Sequence, residues 1–135
     1  MTRNIKLSQI DDFFEDQIEK LLRATVLEAD KSVKLASPVD TGRFRESWQV
    51  GENASESTPA PPGNYGNVLP EMKAYNYVAG QEKVGNRYSV HNNLPYAEVL
   101  AQGGSPQAPA GWIEVIGKRL KSYVRSEYER IKRTS

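Results

Sequence analysis

Three features of the sequence predict an α+β fold. A long amphipathic helix opens the chain, a second one closes it, and short alternating segments broken by proline and glycine lie between them. The expected architecture is a long N-terminal helix, a small antiparallel β-sheet with a long inserted loop, and a C-terminal helix packed on the sheet. At 135 residues the chain fits a single domain, residues 1–135. Its apolar content, with Gly counted and Tyr not, is roughly 40%, below the usual ~45–50%. With a mean hydropathy of −0.65, the core is expected to be modest and contacts with neighbours to add to its order.

The first helix is expected over residues 8–36. Ser8 can cap it, Asp11, Asp12, Glu15 and Asp16 suit the positive end of its dipole, and Lys31 and Lys34 suit the negative end. Ile10, Phe14, Ile18, Leu21, Leu22, Thr25, Ala29, Val33 and Ala36 recur at three- and four-residue steps and form one apolar stripe. Pro38 ends the helix, since its ring disfavours helical geometry at Ser37. Asp40 or Thr41 can then cap a short helical turn at residues 42–46. A strand is expected over residues 47–51, with Trp48 and Val50 on one face.

Residues 53–70 are dense in Pro, Gly, Ser and Asn, and neither a helix nor a central strand survives there. Loops of this length are uncommon unless they function or are disordered. This one is expected to protrude, mobile in isolation, and to be ordered by an adjacent subunit with Tyr65 and Leu69 as anchors; the alternative is a loop that folds back on its own sheet as an extended hairpin. Two further strands are expected at residues 73–78 and 87–91, and a short helix at 95–100 with Pro95 in its first turn. Residues 102–111 form an extended turn. The final helix, over residues 112–132, carries Trp112, Ile113, Ile116, Leu120, Tyr123, Val124, Tyr128 and Ile131 on its apolar stripe.

The chemistry available is narrow. With no cysteine, disulfides, thiolate metal sites and cysteine nucleophiles are all excluded. His91 is the single histidine, and its neighbours Tyr88 to Asn93 include no carboxylate to orient an imidazole, so it reads as a strand-end residue with a structural hydrogen bond. Carboxylates fall mostly on solvated helix faces, and no phosphate-binding loop, nucleophile elbow or dinucleotide fingerprint occurs. No catalytic, cofactor or metal site is therefore expected. No segment approaches the ~20 apolar residues that span a bilayer, and the first residues hold no apolar run of signal-peptide length, so no membrane association is expected. Net charge is +1. Its distribution is lopsided, because residues 112–135 hold seven basic and three acidic side chains. That opens a second class of function, a small DNA-binding protein using the basic C-terminal helix. A peptide-like role for the short proline run at residues 59–62 is weaker, since it offers only a brief polyproline segment.

Two segments carry a family resemblance. SPVDTGRFRESW at residues 37–48 resembles the P-V-D-T-G-x-L-x-x-S signature that follows the first helix in a tailed-phage tail-component family. VHNNLPYAEVL at residues 90–100, followed by GGSPQAPAGW at 103–112, is similar to that family's N-x-x-x-Y-A-x-x-L-x-x-G-x-S-x-Q-A-P-x-G segment. Phe44 stands where the family has an aliphatic residue, and the spacing around Gly103–Gly104 differs slightly. The family comprises head–tail joining, tail-completion or neck proteins, like minor tail protein Z. The resemblance implies a structural virion protein, assembled in the host cytoplasm, that forms a ring, most often a hexamer. Its implied partners are other copies of itself, the tail tube or tail terminator protein, and the head connector or stopper protein, with DNA only as channel contents. Under this resemblance Pro38, Asp40, Thr41 and Gly42 shape the first turn, and Tyr96 anchors the short helix to the sheet. Gly103, Gln107 and Pro109 then belong to a rigid turn at a subunit surface.

Overall fold

The computed structural model describes residues 7–102 and 110–134. It is α+β, with the order α1 (Leu7–Ala36), α2 (Arg43–Glu46), β1 (Gln49–Glu52), β2 (Tyr88–His91), α3 (Ala97–Ala101) and α4 (Trp112–Thr134). Helix α1 is already helical at Leu7, the first described residue, and runs through Ser8, its expected cap. It ends where Ser37 turns its hydroxyl back onto the Val33 carbonyl, 2.5 Å away, ahead of Pro38. At 30 residues it is about 45 Å long, far longer than the four-residue strands beside it.

β1 and β2 pair antiparallel, with Val50 opposite Val90 and Gly51 opposite Ser89. The expected third strand at residues 73–78 reduces to one parallel bridge between Val50 and Ala74. The Val50 amide donates to the Lys73 carbonyl (2.9 Å) and the Tyr75 amide to the Val50 carbonyl (2.8 Å). The next rung is taken by a side chain. Asn76 accepts from the Glu52 amide at 2.7 Å and donates to the Glu52 carbonyl at 2.8 Å, so the ladder stops as the chain turns away.

The main core gathers Val33, Phe44, Trp48, Leu94, Trp112 and Ile116. Phe44 sits edge-on to both tryptophans, its ring centroid 5.5 Å from Trp48 and 6.3 Å from Trp112. A smaller cluster of Val26, Val50 and Tyr77 lies beside it, and Val90 packs against both. Trp112 and Ile116 of α4 meet Val33 near the end of α1, whereas Tyr128 meets Phe14 near its beginning (centroids 6.1 Å apart). The two long helices are therefore antiparallel. The chief partner of α4 is α1, and among the sheet residues Val90 packs against the cluster that holds its first turns. Beyond the short sheet, α1 and α4 continue as a two-helix arm.

Two polar features inside this frame were not foreseen. Lys34, expected to serve the helix dipole, is 2% exposed and pairs with Asp30 at 2.7 Å one turn earlier. Burial raises the Asp30 pKa, against the opposing pull of Lys34. Tyr77 donates to Glu82, which also accepts from the Gly80 amide and lies 3.6 Å from Arg23 of α1. Burial pushes Glu82 upward, but the Tyr77 hydroxyl, the backbone donors and Arg23 together hold it below the usual carboxylate range. This group ties the turn after Tyr77 to α1.

Candidate interaction surface

The two motif segments, far apart in sequence, lie against each other. Asn92 donates from its side-chain amide to the Phe44 carbonyl at 2.7 Å, and Leu94 joins the core cluster of Phe44 and the two tryptophans. Trp48 Nε1 donates to Ser37 Oγ at 2.8 Å, which binds both ends of the first motif to the end of α1. Trp112 Nε1 donates to the Leu100 carbonyl at 3.0 Å, joining α3 to α4. Between the motifs runs a groove of about 270 Å³, lined by residues 38–44 together with Tyr96 and Leu100. Four predicted first-turn residues, Pro38, Asp40, Thr41 and Gly42, thus share one surface feature with Tyr96.

Their individual roles differ from expectation in part. No side chain caps α2, and Asp40 is exposed. Instead the helix starts from Gly42 at φ +85°, a left-handed geometry that favours glycine, while Thr41 Oγ1 accepts from the Arg43 amide at 3.3 Å. A Cβ on Gly42 would stand 3.2 Å from Tyr65 Cβ and 3.3 Å from the Gly66 carbonyl, so this glycine does admit a close backbone approach. Tyr96 does not anchor α3 to the sheet. It is 40% exposed on the groove rim, and Leu94 is the buried anchor. Gly103, Gln107 and Pro109 lie outside the described residues.

The largest correction concerns residues 53–70, which do not protrude as a free segment. Prolines and irregular geometry deny this stretch a strand partner, yet its carbonyls still need donors. Side chains of the body supply them. Asn93 donates to the Ser55 and Ser57 carbonyls (2.8 and 3.0 Å), Gln49 to Thr58 (2.6 Å) and Arg43 to Ala60 (2.8 Å). Arg45, 8% exposed, reaches Gly66 and Val68 at 3.0 and 3.3 Å, and Lys34 reaches Glu71 at 2.9 Å. Tyr65 is committed within the chain: its amide donates to the Thr41 carbonyl at 2.7 Å and its hydroxyl to Pro61. Leu69 is 39% exposed and Val68 80%. The loop is thus seated on the body of its own chain.

His91 fits its structural reading. Its Nε2 lies 2.7 Å from Ser57 Oγ and its Nδ1 3.0 Å from Ser89 Oγ, so it links β2 to the loop. Burial lowers its pKa and favours the neutral ring. Among the described residues no three His, Asp or Glu side chains cluster as metal ligands would, and no helix is long and apolar enough to cross a membrane.

The arm offers a different surface. Lys118, Lys121 and Arg125 stand at i, i+3 and i+7 on one face of α4, all exposed. Arg130 pairs instead with Glu127 at 2.6 Å, and Lys132 with Glu129 at 3.5 Å.

Sequence patterns foretold a turn at residues 38–42 but not that the two motifs meet. They missed Lys34, Arg45, Asn92 and Asn93, because a side chain that feeds a loop carbonyl leaves no periodic signal. Only Asp30 and Lys34 had one, their i,i+4 spacing. Comparison with protein-family profiles, with curated proteins and with solved structures finds no match to this chain.

Proposed function

We propose that this chain is a non-enzymatic structural protein of a tailed-phage virion, a ring-forming head–tail joining or tail-completion subunit between the tail tube end and the head connector. One observation carries the reading: the two segments that resemble the tail-component family are joined through Asn92, Phe44 and Leu94 and together line one groove, with Tyr96 on its rim. The groove suits protein contact, with an exposed aromatic ring beside a rigid turn. Mass spectrometry of purified particles, with electron microscopy of the isolated protein, tests the proposal. The protein should be present in virions at a few copies each and should form closed rings. Absence from particles would refute it.

A second reading rests on the α4 face of Lys118, Lys121 and Arg125, which has no acidic partner among the described residues. It makes the chain a small DNA-binding protein. A salt titration separates the two, since a regulator binds its own site about 10³-fold or more above other DNA.

A further inference from the structure

We infer that the cationic flank of α4 docks the acidic first half of α1 from a second copy of this chain, forming a head-to-tail contact. The inference rests on the self-assembling role proposed above and assigns its two faces. On α4, Leu120, Val124 and Tyr128 floor a shallow groove of about 520 Å³, rimmed by Lys121, Arg125 and Glu129. Glu129 is engaged by Lys132. Lys121 and Arg125, with Lys118 and Arg119 beside them, have no ion-pair partner among the described residues.

The matching surface is on the same molecule. Glu15 and Asp16 are exposed on α1, Glu19 lies one turn further on, and none of the three has an ion-pair partner among the described residues. Beside them Phe13 is 46% exposed. Asp16 lies one turn from Phe13 on the same side of α1, with Glu15 and Glu19 further round, and an aromatic ring edged by carboxylates complements an apolar groove rimmed by cations. The proposed contact uses one face from each copy, head to tail; where the rotation it imposes closes on itself, repetition gives a ring.

Charge balance favours a second copy over nucleic acid. The whole chain carries +1, so the cations of α4 are matched by carboxylates elsewhere on it. The exposed Glu15 and Asp16 lie in the same arm, where Phe14 packs on Tyr128 of α4, and would repel a phosphate backbone laid along it.

Sedimentation velocity over a concentration series tests the assignment, using the full chain, Lys121→Glu/Arg125→Glu, Glu15→Lys/Asp16→Lys, and the chain carrying all four changes. The wild type should self-associate at low salt and dissociate towards 15.1 kDa near 1 M salt, where screening shortens to ~3 Å. Each two-residue variant should weaken association at least about tenfold, and the four-residue variant should recover most of it. That recovery also shows that the reversed chains fold. Association that survives both reversals, or is lost without recovery, overturns the faces and leaves ring formation standing. A wild type monomeric at every concentration overturns ring formation as well. A 30-base-pair duplex is titrated in parallel. If the α4 reversal abolishes duplex binding while self-association persists, the flank belongs to nucleic acid.

Discussion

The two halves of this molecule solve the same problem with opposite means. In the half built from the end of α1, α2, the strand pair and the loop, polar side chains are turned onto the backbone. Lys34, Arg45, Asn92, Asn93 and Gln49 spend their donors on backbone carbonyls that have no strand to pair with. In the arm the cations point outward, and the helices meet through an apolar stripe that leaves Phe13, Tyr123 and Tyr128 more than a third exposed. An internal polar anchor fixes the chain that owns it, whereas an exposed charged face is free to fix another chain.

This contrast can be broken first at Lys34. Its ammonium is shared between Asp30 and the Glu71 carbonyl, so Lys34→Ala strands a buried carboxylate and should cost about 3–5 kcal/mol in urea unfolding. Asp30→Leu combined with Lys34→Met should recover much of that, since a well-packed apolar pair avoids desolvating two charges. Gly42→Ala comes next. The left-handed backbone and the 3.2 Å approach of Tyr65 should cost about 1–3 kcal/mol, with faster proteolysis in residues 58–70 as the visible sign. Tyr128→Ala, in the arm, should cost less, about 0.5–1.5 kcal/mol for a lost edge-to-face contact with Phe14, and should leave the loop's proteolysis unchanged.

The smallest effect is one of pH. The folded pKa of His91 is lowered, so the native state holds the neutral ring and the unfolded chain takes up the proton first. The contribution of this residue is intact above about pH 6.5 and is lost as pH falls through the lower folded value. His91→Gln should flatten the stability profile between pH 7 and 5 relative to wild type, measured by urea midpoints. An unchanged slope would remove His91 from the loop's attachment.

Legibility in the sequence follows the same divide. Both long helices and the strand pair were readable, because periodicity records which face of an element is buried. Pro38 and Gly42 were readable because ring closure and positive φ leave few alternatives. The seating of residues 53–70 was not, for the donors that hold it come from four separate elements or turns and are ordinary polar residues. The third strand failed for a related reason: Asn76 imitates a backbone rung, and alternation alone cannot separate a strand from a strand that stops after one bridge. Around the groove, the family resemblance pointed to the right turn but to the wrong anchor, since Tyr96 and Leu94 are both apolar enough to serve and only packing decides between them.

The central claim is that the loop is an internal fixture and the arm is where copies meet. Backbone hydrogen exchange at low and high protein concentration tests it directly. The amides of Asn53, Ala60 and Tyr65, each hydrogen-bonded within the chain, should be protected equally at both concentrations. New protection at high concentration should fall on residues 13–20 and 117–129. Loop amides that exchange freely in the dilute protein and gain protection only on assembly would contradict the account.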